Sequence, residues 1–314
     1  MARPRGFARW NPSDEALALI GDVKEVLNTY RQYLPMTSRQ VFYRLVASYG
    51  YPKTERDYKN LCERLVRARR AGMISFSAIR DDEITHHAAG GGYAGPDAFW
   101  ENLPEFADYY GRREREGQDW SIEVWVESGG MSSMVASMVY DYGVPVYSSG
   151  GFLSVTATHD VAKRALRDSR DRVILSVGDF DPSGVSIYNA LREDAQHFYA
   201  HERAKEDGVS SFRLADYEDE FVFERIALTD GQVDDLGIET APPKSTDTRS
   251  RNWPFDYTAQ AEALDPETLR GVLAEAVERS TDMDVKADVE ARSADEREEI
   301  KDELQEVVDA RESS

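Results

Sequence analysis

The chain has a single cysteine, Cys62, few lysines and no long apolar run. One cysteine excludes an intramolecular disulfide and any zinc site built from several thiolates. The lack of a run of about 18 apolar residues predicts no membrane-spanning helix. No apolar stretch follows the first five residues, so we also expect no secretory signal. A cytoplasmic protein is the simple expectation.

Positive charge is scarce as well. The 314 residues carry 38 Lys+Arg against 59 Asp+Glu, a formal net charge of −21, and only 8 of the basic residues are lysines. Many acids with few lysines suggest adaptation to high salt, since the Debye length at molar salt is about 3 Å and self-repulsion is then screened. An ordinary acidic protein is the alternative. Taken alone, this net charge argues against a nucleic-acid partner.

Residues 31–80 depart from that balance. They hold 11 Lys+Arg and 3 Asp+Glu, a local net charge of +8. A basic segment within an acidic chain is the electrostatic pattern expected of a nucleic-acid-binding surface. We therefore expect double-stranded DNA as a partner and a DNA-associated protein.

Three helices and a short strand are predicted for the N-terminal part. Thr37, followed three residues later by Gln40, is a capping-box pattern that opens the second helix. Gly72 is positioned to end the third. The predicted helices are 12–30, 38–48 and 55–71, and the predicted strand is 73–76. Short helices followed by a small β element predict a winged-helix DNA-binding domain over residues 1–87.

Glycines cluster after residue 87, and we interpret residues 88–119 as a linker. No Gly-Lys-Ser/Thr follows them, which disfavours a phosphate-cradling loop. From residue 120 strands and helices alternate, which predicts an α/β fold with a mostly parallel sheet flanked by helices. The predicted strands are 122–127, 144–148, 173–178 and 221–228. This second domain is expected over residues 120–281, followed by an acidic helical tail at 282–314.

Carboxylates follow two of the predicted strands. Asp179 and Asp181 lie in the segment from Val177 to Gly184, and Glu127 ends the strand at 122–127. Parallel neighbouring strands would bring these ends to one edge of the sheet. Mg²⁺ prefers such oxygen ligands and keeps several waters, so the three carboxylates are candidate metal ligands. The alternative is a surface turn in which the aspartates cap the next helix.

Together, these motifs resemble the Toprim domain of topoisomerases, primases and several nucleases. The segment Gly178-Asp179-Phe180-Asp181-Pro182-Ser183-Gly184 fits the narrower pattern G-D-x-D-P-x-G. That pattern is similar to the topoisomerase VI A subunit and the related meiotic double-strand-break protein, in a short form. The resemblance implies Mg²⁺ held by Glu127, Asp179 and Asp181, with Glu127 also in a catalytic role. It further implies a homodimer in which two subunits cut opposite strands.

The same family carries its nucleophile in the winged-helix domain, in a pattern like Arg39-Gln40-Val41-Phe42-Tyr43. The resemblance therefore implies that Tyr43 attacks a DNA phosphate. The helical repeat places Tyr43 off the apolar face of its helix, so we expect an accessible side chain. Arg39 and Arg44 lie close to it along the helix, where cations favour the phenolate and can hold the phosphate. A tyrosine simply packed at a helix edge is the alternative.

Further basic residues continue this surface. The expected DNA-binding residues are Arg44, Arg56, Lys59, Arg64, Arg67 and Arg70. A solvated charged helix face is the alternative. Glu262 is a further candidate carboxylate for the site.

The resulting hypothesis is a Mg²⁺-dependent enzyme that cuts both DNA strands by tyrosine transesterification, as a type IIB topoisomerase A subunit does. No ATP-binding motif is present in the sequence, so ATP-driven strand passage would need a separate B-type subunit. Two rivals remain open. One is a Toprim nuclease that uses a metal-activated water, and the other is a non-catalytic DNA-binding protein with a vestigial Toprim fold.

Overall fold

A four-stranded parallel sheet, in the order β2-β1-β3-β4, organises the larger part of the molecule. The computed structural model describes residues 7–80, 92–209, 213–244 and 247–312. The strands are β1 Trp120–Val126, β2 Val146–Ser148, β3 Asp171–Val177 and β4 Phe221–Ala227. All four were predicted, and the α/β fold class with a parallel, helix-flanked sheet is confirmed.

Strands β1 and β3 are hydrogen-bonded parallel neighbours, as the metal hypothesis requires. Their last residues, Val126 and Val177, are register partners. Glu127 and Asp179 therefore leave the sheet at the same carboxyl edge, where open α/β sheets bind ligands.

Helices cover both faces because side chains alternate along each strand. Val124, Leu175 and their neighbours on one face pack against α5 and α9. Trp125, Ile174 and Phe221 on the other face pack against α6 and α7. The helices are α5 Gly129–Val139, α6 Val155–Leu166, α7 Pro182–Glu206, the short α8 Asp230–Asp235, and α9 Pro266–Glu278.

Three helices form the N-terminal unit around its own core. They are α1 Asp14–Thr29, α2 Ser38–Tyr49 and α3 Glu55–Arg70. The capping box of Thr37 and Gln40 is confirmed. The strand predicted at 73–76 was wrong, because residues 76–78 form a 3₁₀ turn and the β element is a single bridge between Met36 and Ile79. The winged-helix assignment thus stays a prediction.

The segment before the sheet packs against the C-terminal helix. Residues 81–91, which include the start of the predicted linker, lie outside the described residues. Beyond them, α4 Pro96–Glu101 and a 3₁₀ stretch, Pro104–Tyr109, lead to β1. The C-terminal helix, α10, spans Met283–Glu312. Arg112 donates a hydrogen bond to Glu296 on this helix, which holds the segment against it.

A two-stranded ribbon completes the carboxyl edge of the sheet and was missed in the sequence. Strands β5 Thr240–Ala241 and β6 Thr258–Ala259 pair antiparallel. Ala259 also exchanges two backbone hydrogen bonds with Phe180, in the acidic loop after β3. A 3₁₀ turn, Ala261–Ala263, follows directly. Within the described ranges, no helix combines the length and apolar character needed to cross a membrane.

Candidate active site

Each of the three predicted carboxylates has one oxygen fixed by a backbone N–H group. Glu127 Oε2 accepts from the amide of Asp179 at 3.1 Å, and Asp179 Oδ1 accepts from Ala261 at 2.9 Å. Asp181 Oδ1 accepts from Gly184 at 2.7 Å, which caps the start of α7. The capping interpretation therefore holds for Asp181. The second oxygen of each group accepts no hydrogen bond from the described residues and is the one left to hold a ligand.

Gly178 and Gly184 leave room for the Glu127 carboxylate. A Cβ atom at either position would lie 2.7 Å from Glu127 Oε2. At Gly184 it would also collide with the carbonyl oxygen of Asp179. The two glycines of the motif are thus explained by the close approach of a side chain from the neighbouring strand.

We predict that Gly184→Ala destabilises the fold by about 1–3 kcal/mol through overpacking. It should also displace the Glu127 carboxylate and lower any Mg²⁺-dependent activity. Denaturant unfolding measures the first effect. Gly271→Ala is the matched control, because a Cβ there meets no atom within 4 Å and Ala is favoured over Gly inside a helix. Equal stability of the two variants would contradict the crowding argument.

Burial and mutual repulsion raise the pKa values of two carboxylates at this edge of the sheet. Burial raises the pKa of Asp179 to about 7, and the charges of Glu127, Glu262 and Asp181 add to the rise. Burial also raises the pKa of Glu127, with Asp181 and Glu262 contributing in the same direction. Several carboxylates held near one another and partly shielded from water favour a compensating cation.

Arg225 is one cation that the sequence analysis missed. It projects from β4 and donates to the carbonyl oxygens of Leu228 at 2.9 Å and Gly178 at 3.0 Å, and also to that of Asp179. Since it binds carbonyl groups at the start of the acidic loop and directly after β4, it ties the loop to the neighbouring strand. The sequence of β4, with the adjacent charges of Glu224 and Arg225, gave no signal for this.

The donor set fits Mg²⁺ in chemistry. Three carboxylates from two adjacent strand ends offer spare oxygens, and a six-coordinate ion would complete its shell with water. Among the described residues, no three His, Cys, Asp or Glu side chains are already gathered as a ligand cage. Binding would therefore draw the spare oxygens of Glu127, Asp179 and Asp181 toward a common point.

Tyr43 lies beside this edge but is buried, so the predicted accessible side chain was wrong. Only 7% of the residue is exposed. Its hydroxyl donates to Gln260 Oε1 at 2.6 Å, and Gln260 directly follows β6. The segment directly after the ribbon, residues 260–263, covers the side of α2 that would otherwise face solvent, and helical periodicity cannot reveal it. Burial raises the pKa of Tyr43 to about 12, opposed by Arg39 and reinforced by Glu262 and Asp179.

Tyr43 and Asp181 line one cavity of about 210 Å³. Gln260, Lys53 and Lys244 line it as well. The ammonium group of Lys53 lies 5.6 Å from the centre of the Tyr43 ring and donates to the carbonyl of Thr240. The two lysines place positive charge beside the phenol, where it could contact a phosphate. Asp181, Glu239 and Asp247 line the same cavity, and Lys53 pairs with Glu239 at 3.9 Å.

Arg39 lies on the other side of the carboxylates. Its guanidinium contacts Glu262 at 3.4 Å, and Ser128 donates to the other oxygen of Glu262 at 3.1 Å. Glu262 is only 6% exposed, and its charge also acts on Asp179. The 3₁₀ turn after β6 thus places this fourth carboxylate between α2, which carries Tyr43, and the end of β1, next to Glu127.

The predicted DNA-binding residues divide into two groups. Arg44 is 7% exposed, and its guanidinium binds Asp265 at 3.2 Å and the carbonyl of Ala263. Its assignment to a DNA-contacting surface was therefore wrong, because it joins the N-terminal unit to the α/β domain. The other five lie on α3. Arg56, Lys59 and Arg67 are exposed, and Arg64 and Arg70 are half-buried.

Replacing Arg44 and replacing Arg67 should have opposite consequences. Arg44→Ala removes a buried guanidinium whose partner, Asp265, is 34% exposed, and should cost about 1–3 kcal/mol of unfolding free energy. Arg67→Ala removes an exposed side chain and should change stability by less than about 0.5 kcal/mol. It should instead lower the salt dependence of duplex binding by about one phosphate contact. Unfolding curves and salt titrations of DNA affinity separate the two roles, and interchanged results would refute them.

Comparisons with known proteins give no relative. No family model, no curated protein and no solved structure matches the chain.

Proposed function

We propose that the protein is a Mg²⁺-dependent DNA-cleaving enzyme in which Tyr43 is the nucleophile. The observation that carries the proposal is the cavity shared by Tyr43 and Asp181. A tyrosine from a basic helical unit lies beside carboxylates at the end of a parallel sheet, and lysines complete the cavity. A phosphate bound there would lie between the phenol and the metal ligands.

Tyr43 must lose its proton to react. Because its pKa is raised to about 12, a group in the site must take up that proton. Gln260 Oε1 accepts a hydrogen bond from the hydroxyl and fixes its direction. The charges of Glu262 and Asp179 both act on Tyr43, and Glu262, which is not one of the three proposed metal ligands, offers a route for the proton. Lys53 and Arg39 favour the phenolate once it forms.

In the reaction, Tyr43 Oη forms a bond to phosphorus and the bond from phosphorus to the 3′ oxygen breaks. The DNA is left with a 5′-phosphotyrosyl link, and the proton from Tyr43 ends on the 3′ oxygen. Lys53, which lines the cavity, would stabilise negative charge on the phosphate directly, and Arg39 would add its charge from the neighbouring pocket that it lines with Ser128 and Glu262. Glu127, Asp179 and Asp181 would hold Mg²⁺, which would supply charge stabilisation at the phosphate and the leaving oxygen.

Cutting both strands takes two tyrosines of this kind, and we therefore propose a homodimer. ATP-driven passage of a second duplex would require a separately encoded B-type partner.

The deciding experiment traps the cleaved state. A duplex labelled on either end is incubated with the protein and Mg²⁺, then denatured and resolved with and without protease. Under the proposal, protein remains attached to 5′ ends and the 3′ ends are free hydroxyls. Cleavage with unattached ends would favour the nuclease that uses activated water. DNA binding without any cleavage would favour the non-catalytic protein.

A further inference from the structure

A large open groove lies at the opposite, amino edge of the sheet. Its volume is about 1040 Å³, and it is lined by the segment before β1, the connection between α5 and β2, and the turn between α6 and β3. Ser121 and Arg172 place it at the starts of β1 and β3. A seven-residue strand rises about 3.3 Å per residue, so the groove lies roughly 20 Å from the carboxylates.

The charge of this groove opposes that of the chain. Eight arginines and four acidic residues line it, within a protein of net charge −21. Part of this excess positive charge is compensated within the protein. Arg164 and Arg172 pair with the buried Glu123, and Arg170 pairs with Asp168. Arg113 and Arg167 are different. Both are exposed, and their side chains make no hydrogen bond or ion pair within the described ranges.

Two arginines that line the groove also have a buried N–H donor without a partner in the described part of the chain. Among the described residues, Nε of Arg115 and Nε of Arg172 have no hydrogen-bond partner, although both atoms are buried. Arg172 is only 6% exposed and lines the groove. Burial, with Arg170 nearby, lowers the pKa of Arg115 to about 10. A bound anion would relieve the crowding of cations there.

Two exposed tyrosines stand at the same groove. Tyr109 is 88% exposed and Tyr140 is 72% exposed, and both line it. Aromatic rings beside a positively charged groove form the arrangement on which unpaired bases stack while the backbone follows the cations. Paired bases in a duplex cannot present their faces to such rings, which favours a single strand as the occupant.

We propose that this arginine groove binds single-stranded nucleic acid, with phosphates at Arg113 and Arg167 and bases stacked on Tyr109 and Tyr140. The groove is separate from the cleavage site, so this binding does not depend on the proposed tyrosine chemistry.

The test measures fluorescence anisotropy of labelled oligothymidylate, oligouridylate and a duplex over a range of salt. EDTA and a Tyr43→Phe background prevent cleavage. Arg113→Ala/Arg167→Ala should weaken binding of the single strand roughly tenfold and reduce its salt slope by about 1.4, from two contacts at about 0.7 each. The pair Arg113→Lys/Arg167→Lys should restore the slope. Stronger binding of either oligomer would identify DNA or RNA as the source.

Tyr109→Ala and Tyr140→Ala should each weaken single-strand binding at least roughly fivefold and leave duplex binding unchanged. The matched control is Lys24→Ala/Lys205→Ala, two exposed lysines that do not line the groove. Thermal unfolding should be unchanged in all of these variants, since none removes a buried contact. The proposal is overturned if the arginine pair behaves like the lysine pair. Equal losses of duplex and single-strand binding in the tyrosine variants would overturn it too.

Discussion

Tyr43→Phe should abolish the covalent complex with DNA and lower cleavage by at least about a thousandfold, as removal of a nucleophile does in covalent enzymes. The ring stays in place, so packing against Phe42 is kept. The lost hydrogen bond to Gln260 should cost only about 1 kcal/mol of unfolding free energy. Denaturing gels of the Mg²⁺ reaction and unfolding curves measure the two effects.

A control on the same helix makes this result specific. Tyr49→Phe also removes a phenolic hydroxyl, in that case one that bonds Glu25 on the surface. It should leave cleavage and covalent attachment unchanged. Full cleavage by Tyr43→Phe would show that water, and not Tyr43, is the nucleophile.

Mixing subunits extends the same experiment to the homodimer. If each chain supplies one tyrosine, a mixture of wild-type protein and excess Tyr43→Phe should contain mixed dimers with one working nucleophile. These should convert double-strand breaks into nicks with protein on one strand only. Loss of breaks without any nicks would contradict two independent tyrosines.

The parallel sheet was predictable because each strand is an apolar run closed by a turn signal, and alternation with helices then fixes its parallel sense. That alone brought Glu127 and Asp179 to one edge. The capping pattern at Thr37 and Gln40 similarly set the start of the helix that carries Tyr43. These features follow from local sequence, which can be recognised without knowing what packs against it.

The failures at the candidate site involve contacts between distant segments. Tyr43 was predicted to be exposed because the helical repeat describes α2 alone and not the segment after β6 that covers it. Arg44 looked like a DNA contact because its partner, Asp265, is more than 200 residues away. Two-residue strands such as β5 and β6 are too short to produce a periodic signal. The position of Gln260 beside the phenol could not be deduced for the same reason.

Asp179→Asn should make the metal-free protein more stable while removing its activity. The amide keeps an oxygen to accept from Ala261 but carries no charge, so it relieves the burial and repulsion that raise the pKa of Asp179 to about 7. Because the folded carboxyl holds its proton more tightly than the unfolded one, stability is lost as the pH rises from about 4 through 7. At pH 8 in EDTA the variant should therefore gain on the order of 2 kcal/mol.

Mg²⁺ should reverse this order of stability between the wild-type protein and Asp179→Asn. Mg²⁺ should raise the unfolding temperature of the wild-type protein, since an ion that binds only the folded state stabilises it, and should have little effect on Asp179→Asn. Asp181→Asn is the matched control, because Asn caps a helix as well as Asp does and the metal-free stability should hardly change. Both variants should lose cleavage.

A destabilised Asp179→Asn protein, or one that still responds fully to Mg²⁺, would mean that the buried carboxylate serves the fold and not a metal ion. The expected combination of higher metal-free stability and lost cleavage would instead show that the charges of the acidic loop destabilise the empty site and are there to bind a cation.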